Sequence, residues 1–280
     1  MDGLHGKPST AQGGGGGGGG GGVTETNALL SVGDVWTIRV GAGGSITNHA
    51  YYSNTPRARG ESGASSVSNG VIELVLTPGG GAGGSRAMRP TVGAAGGGGS
   101  GKEAIDYRGT NGVYKSSILG VVPDGTPFKG GDGGSRATYG GGGGGAGSSG
   151  NAAAGGDGLV SDITGDAIVY GSGGGGGGRF RIDVAAYEVN GGNGGVNGGI
   201  GGKGKVEIDG VTTNLSIYPA EAPVANTGSG GGGGVSFGGS TNDGGLADEL
   251  AWGTSGSDGV VIIRYEADLP HPKGFMVIFH

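Results

Sequence analysis

Short apolar stretches alternate along this chain with segments that carry almost no side chains. Asp34-Val35-Trp36-Thr37-Ile38-Arg39-Val40 and Arg179-Phe180-Arg181-Ile182-Asp183-Val184 place apolar residues at every second position. That is the period of a strand with one covered face. Lys205-Val206-Glu207-Ile208-Asp209-Gly210-Val211 alternates before a turn, and Val71 to Leu76 is a further apolar stretch. Val260 to Tyr265 is continuously apolar at its start and predicts a buried strand, with Tyr265 and Tyr187 in the core. No segment keeps a 3.6-residue apolar period without a glycine breaking it, so little or no α-helix is expected. The pattern predicts about six strands.

Between these stretches lies glycine, 81 of 280 residues. It forms unbroken runs at Gly13–Gly22, Gly96–Gly99, Gly140–Gly145, Gly173–Gly178 and Gly230–Gly234. Glycine loses the most conformational freedom on ordering and brings no side chain to bury. A flexible linker would be monotonous, whereas this chain interleaves its glycine with strand-like segments. Collagen needs strict Gly-X-Y spacing and abundant proline, and the chain has ten prolines. The remaining solution is polyglycine II. A three-residue-per-turn backbone has no internal hydrogen bonds, so its amides and carbonyls point outward in three directions and bond to neighbouring helices. Packing on every side demands glycine at every position. The expected fold is therefore a sandwich of stacked polyglycine II helices with several short β-strands and long inserted loops. Asn190 to Lys205 carries a side chain at almost every third position, which suits a helix on the outside of such a bundle.

The chain reads as an arm over residues 1–12, a glycine-rich domain over 13–265 and a tail over 266–280. Gly83-Gly84-Ser85-Arg86-Ala87 recurs as Gly133-Gly134-Ser135-Arg136-Ala137, a partial duplication. Hydrophobic residues make up 33% and charged residues 14%, with a net charge of −6. An oily core is not expected. Nucleic acid and anionic membranes are disfavoured partners, because both call for a basic face. There is no cysteine for a disulfide framework, no signal segment and no stretch long enough to span a bilayer. Synthesis in the cytoplasm without classical export is the expectation.

Motifs for chemistry are weak. Gly96-Gly97-Gly98-Gly99-Ser100-Gly101-Lys102 imitates a phosphate-binding loop, but Glu103 stands where Ser or Thr would hold magnesium. Gly155-Gly156-Asp157-Gly158-Leu159-Val160-Ser161-Asp162-Ile163 imitates a calcium nonapeptide, yet Val160 occupies the aspartate position and no tandem copy follows. His5, His49, His271 and His280 lack metal-ligand spacing, and no Gly-x-Ser-x-Gly elbow occurs. Asp248-Glu249 reads as solvated surface. No catalytic residue, cofactor or metal is expected, and the chain reads as a non-enzyme.

Two long inserts of ordinary composition interrupt the glycine, Ile46 to Asn69 and Lys102 to Lys129. The first holds His49, Tyr51, Tyr52, Arg57 and Arg59, and the second Tyr107, Arg108, Tyr114 and Lys115. Tyrosine and arginine are favoured anchors of binding surfaces. The plainer alternative is that the tyrosines cover the edge of the bundle.

Leu30-Ser31-Val32-Gly33-Asp34-Val35-Trp36-Thr37-Ile38-Arg39-Val40-Gly41-Ala42-Gly43-Gly44 after the first run, and the closing Gly256-Ser257-Asp258-Gly259-Val260-Val261-Ile262-Ile263-Arg264-Tyr265, carry a resemblance. From about Gly13 to Tyr265 the chain resembles the glycine-rich domains of bacteriophage tail fibres and tail-tip adhesins. The resemblance implies a virion protein whose polyglycine II sandwich holds loops against a bacterial surface receptor, a glycan or an outer-membrane protein. His49, Tyr51, Tyr52, Arg57, Arg59, Tyr107, Arg108 and Tyr114 are then the receptor-binding candidates. Gly274-Phe275-Met276-Val277-Ile278-Phe279 is an apolar tail suited to pairing with another fibre subunit. The alternatives are a purely structural fibre or decorating subunit without a receptor, and an ice-binding protein, since snow-flea antifreeze protein is also a polyglycine II bundle.

Overall fold

The computed structural model describes residues 16–29, 33–45, 62–84, 89–99, 108–119, 128–131, 139–181, 188–209, 212–238 and 253–265. Among them there is no α-helix. Twelve short strands occur: β1 (Thr24–Glu25), β2 (Thr37–Arg39), β3 (Ser65–Ser68), β4 (Glu73–Thr77), β5 (Ser117–Ile118), β6 (Leu159–Ser161), β7 (Ile168–Tyr170), β8 (Arg179–Arg181), β9 (Glu188–Val189), β10 (Lys203–Asp209), β11 (Thr212–Tyr218) and β12 (Ser236–Gly238). They form small separate sheets, antiparallel β2-β3-β4 and β11-β10-β9, parallel pairs β1-β5 and β8-β12, and the antiparallel pair β6-β7. β10 and β11 pair antiparallel over their full length, from Lys203↔Tyr218 to Asp209↔Thr212.

The glycine segments hold the molecule together through backbone hydrogen bonds, and the partners rotate. Gly16, Gly19 and Gly22 donate to the carbonyls of Gly84, Gly81 and Pro78 at 2.7–2.9 Å. Gly17 and Gly20 donate to Gly141 and Gly144, while Gly18 and Gly21 donate to Gly231 and Gly228. Each partner segment therefore returns after three residues. The same step recurs elsewhere. Gly140, Gly143 and Ala146 donate to Gly177, Gly174 and Gly171, and Gly141 and Gly144 donate to Gly99 and Gly96. Gly173 and Gly176 donate to Gly156 and Ala153, and Gly175 and Gly178 to Gly199 and Gly202. A pleated strand alternates between two directions. The run Gly16–Gly22 bonds in three directions instead.

The interior is consequently main chain. Residues 16–20, 140–146, 171–178 and 229–235 are all buried. The buried apolar residues among those described are Ala82, Ala94, Ala95, Ala146, Ala220 and Val235. A Cβ added at Gly17 would lie 2.1 Å from the carbonyl oxygen of Gly174, and one at Gly176 would lie 1.9 Å from that of Gly140. Real side chains do not approach backbone so closely, and such positions, Gly17 and Gly176 among them, have no room for one. Gly171 adds a second requirement, since its φ of +70° lies in the left-handed region where the chain turns into the lattice.

This interior explains where the apolar stretches go. Val260 to Tyr265 is not a buried strand. No strand is assigned there, and Ile263 and Tyr265 are exposed, Tyr265 by 59%. An interior filled mostly with backbone has little space for bulky side chains, so Val260, Val261 and Ile262 are only half-buried and Ile263 is exposed, with the Gly259 amide bonded to the Gly41 carbonyl at 2.9 Å. Tyr187 lies outside the described residues. The insert boundaries also shift. Ser65–Ser68, read as part of a loop, is the middle strand β3 between β2 and β4. The stretch after Thr212 begins with β11.

Asn190 to Lys203 is an outer hairpin of two glycine segments. Asn190, Asn193 and Val196 are exposed, followed by Ile200 and Lys203 on the return. The chain reverses at Asn197, whose φ is +67° and whose side-chain amide donates to the Val169 carbonyl at 2.9 Å.

Candidate functional site

Two features could give this molecule a function: the inserts and the surface around them. Of the receptor-binding candidates, His49, Tyr51, Tyr52, Arg57, Arg59 and Tyr107 lie outside the described residues. Arg108 and Tyr114 are described, Arg108 exposed and Tyr114 half-buried.

The described flanks of both inserts are anchored to the scaffold. Before Ile46, the Gly43 amide donates to Oδ1 of Asp258 at 2.6 Å, and the Gly256 amide to the Gly44 carbonyl at 3.0 Å. On the return, Gly63 donates to the Ala42 carbonyl at 2.8 Å, and the Ser62 hydroxyl to the Gly80 carbonyl at 2.8 Å. The entry and exit of the first insert thus bond directly to each other. At the second, the Gly99 amide donates to the Gly131 carbonyl at 2.9 Å across the two ends, while residues within the insert belong to the scaffold, Thr110 donating to the Gly97 carbonyl at 3.0 Å and Val113 to the Gly93 carbonyl at 3.0 Å.

Tyr114 belongs to a clasp rather than to a free loop tip. Its ring covers Gly22, where an added Cβ would meet Cδ1 at 2.8 Å, and its hydroxyl lies 2.5 Å from Thr24 Oγ1. Beside it the Ser116 hydroxyl accepts from the Val23 amide at 2.9 Å, and Ser161 donates to the Glu25 carboxylate at 2.6 Å.

A second polar system seals the lattice at the end marked by Gly171 and Gly228. Ser172, Thr227 and Ser229 are buried, Ser172 completely. The Ser172 hydroxyl accepts from the Gly158 amide at 3.0 Å and donates to the Val196 carbonyl. Thr227 donates to the Val224 carbonyl at 2.7 Å and lies 2.8 Å from Ser229 Oγ, and Ser257 Oγ accepts from the Ser229 amide at 2.9 Å. Thr254 does the same for Gly232 at 2.8 Å. These hydroxyls satisfy amides where the rotation of partner segments stops, as buried polar groups require.

Large apolar side chains are exposed on the surface. Leu29, Val35, Val71, Ile72, Leu119, Val160, Val196 and Val224 are among those on the described surface, Val71 exposed by 91% and Leu29 fully. Val35, Val71 and Ile72 fall in stretches expected to be strand-like and covered, and their exposure departs from that expectation. The available signal was that glycine-flanked Val and Leu had no side-chain core to enter.

The apparent chemical motifs dissolve in the geometry. The amides of Gly96, Gly97, Gly98 and Gly99 already donate to the carbonyls of Phe128, Thr91, Gly17 and Gly131 at 2.9–3.2 Å, so they form no phosphate cradle. The Asp157 carbonyl accepts from Gly147 and Ser148, and its amide donates to Ser148 Oγ, so its backbone ties two segments together. Among the described residues no cluster of His, Asp, Glu or Cys could hold a metal ion, and no helix is long and apolar enough to cross a membrane. Lys203 places its Nζ 5.1 Å from the Tyr218 ring centroid, a surface cation–π pair.

A core made mostly of main chain, with only small side chains and Val235 buried in it, defines a glycine-rich domain. The known glycine-rich domain family matches residues 3–266, and the chain belongs to that family. No curated protein and no solved structure matches it.

Proposed function

We propose that the glycine segments are polyglycine II helices and that the protein is a phage virion component, part of a tail fibre or spike, that binds the host cell surface through loops on this scaffold. The observation that supports this most is the three-residue rotation of hydrogen-bond partners about Gly16–Gly22. A solid of that kind is stiff, tolerates no change in its interior and leaves variation to its inserts. Binding residues commonly sit on loops held by rigid frames. Both long inserts leave and re-enter the lattice through flanks bonded to each other, which suits display of a recognition surface. Tyr51, Tyr52, Arg57 and Arg59 are the proposed contacts, with a surface glycan or outer-membrane protein as the receptor. The virion, released on lysis, is the proposed location. The test is adsorption of purified protein to susceptible cells. Wild type should bind, and the double variant Tyr51→Ala/Tyr52→Ala should lose most of that binding at unchanged melting temperature. Equal binding by both would remove the assignment.

The exposed large apolar side chains, Leu29 and Val71 foremost, favour a second reading, a structural subunit without a receptor. In it, this surface and the 266–280 tail join neighbouring fibre subunits. Removal of Leu269 to His280 would then abolish assembly and leave a folded monomer. Assembly that survives the truncation excludes the tail contact.

A further inference from the structure

We propose that the space filled by Gly16–Gly22 is a binding site for an unbroken glycine run ending in Val-Thr-Glu, and that it keeps this specificity when the run is severed from the chain. The inference does not depend on the receptor or on the virion.

The run is a guest surrounded by the rest of the molecule. Its seven amides, Gly16 to Gly22, donate in turn to carbonyls of segments 78–84, 141–144 and 228–231. Its carbonyls accept from Gly98 at Gly17, from Gly174 at Gly18 and from Ala95 at Gly20, at 2.9–3.2 Å. Five segments drawn from residues 78 to 231 therefore line one channel. A backbone of polyproline-II type rises about 3.1 Å per residue, so seven residues fill roughly 22 Å of it.

The channel selects by size. A Cβ would stand 2.1 Å from the Gly98 oxygen at position 16, 2.1 Å from the Gly174 oxygen at position 17 and 1.9 Å from the Gly171 oxygen at position 20. All are backbone atoms held by their own hydrogen bonds. Position 21 is looser, with the nearest atom, the Gly228 oxygen, at 3.3 Å.

Ten identical residues carry no register of their own, and the clasp supplies it. Val23 bonds Ser116 and Ser117, Thr24 meets Tyr114, and Glu25 bonds Leu119 through its carbonyl and Ser161 through its carboxylate. The ligand is thus a glycine run followed by Val-Thr-Glu. Past the clasp, Thr26, Asn27, Ala28 and Leu29 are exposed. The connection can be cut there without touching either part.

The experiment starts from the folded full-length protein with a protease-recognition sequence inserted between Asn27 and Ala28. After cleavage the 1–27 fragment should co-elute with the remainder on size exclusion. A labelled synthetic peptide of residues 13–27, with two added N-terminal lysines for solubility, should exchange into the nicked protein in mild denaturant. An unlabelled peptide carrying Gly20→Ala should compete at least a hundredfold less well, and one carrying Gly21→Ala within about tenfold of the native peptide. Loss of the fragment from a remainder that keeps its melting temperature would overturn the proposal. So would equal competition by the Gly20→Ala peptide. Unfolding on cleavage that excess native peptide does not reverse would overturn it as well.

Discussion

The hydroxyl of Tyr114 lies 2.5 Å from Oγ1 of Thr24, and its ring covers Gly22, so one side chain closes the end of the longest glycine run. Tyr114 was a receptor-binding candidate by residue type, and this geometry gives it work in the scaffold. Tyr114→Phe should cost about 1 kcal/mol, the net worth of one hydrogen bond. Tyr114→Ala should cost about 3 kcal/mol by removing the ring as well. Denaturant midpoints measure both. Unchanged stability in Tyr114→Ala together with lost cell binding would return the residue to the recognition surface.

Glycine-to-alanine substitutions should divide sharply by position. Gly176→Ala places a Cβ 1.9 Å from the Gly140 carbonyl oxygen, and neither backbone can retreat without breaking its other bonds. Its cost should exceed about 3 kcal/mol, at the upper end for overpacked sites. Gly33 has open space around it and a φ of +97°, so Gly33→Ala should cost only about 1 kcal/mol of backbone strain. Thermal unfolding of the pair decides whether close packing or glycine content alone sustains the fold. Equal losses would argue for content.

The hydroxyl system predicts a polar counterpart. Ser229 Oγ accepts from the Ser172 amide at 3.3 Å and lies beside Thr227 Oγ1 in a fully enclosed site. Ser229→Ala leaves that amide buried without a partner, which costs about 1–3 kcal/mol. Thr164, exposed in the β6–β7 turn, provides the control, and Thr164→Ala should stay within about 0.5 kcal/mol of wild type. A loss at Ser229 no larger than at Thr164 would show that the amide finds another acceptor.

These residues also show what could be read from the chain alone. Continuous runs demanded a side-chain-free interior, and Gly17 and Gly176 show why. Arg179–Arg181 and Lys203–Asp209 declared themselves by alternation, since strand period survives in any context. Val260 to Tyr265 misled because an apolar run signals burial only where a side-chain core exists to receive it. Partner identity was illegible. Gly16 and Gly17 are the same residue in the same run, yet one bonds Gly84 and the other Gly141. That information sits in Tyr114, Ser116 and Ser161, far along the chain, as ordinary residues without a motif. For the candidate site, residue type marked Tyr51, Tyr52 and Tyr114 alike, and only packing distinguishes the last.

Tyr170 ends β7 beside the buried Gly171, and burial raises its phenol above the ordinary value near 10. The folded state therefore holds this proton more tightly than the unfolded chain. Below the ordinary value both states are protonated, and Tyr170 gives stability no pH dependence. As pH climbs past that value, the unfolded chain releases its proton first, so stability falls with a slope set by the difference in bound protons. Tyr170→Phe should flatten that alkaline limb relative to wild type. Urea midpoints recorded between pH 8 and 11.5 measure this directly, with the two curves parallel up to about pH 9.5 and diverging above it. Curves that stay parallel throughout would mean the phenol is hydrated in the folded protein, and that the β6-β7 hairpin stands off the lattice in solution.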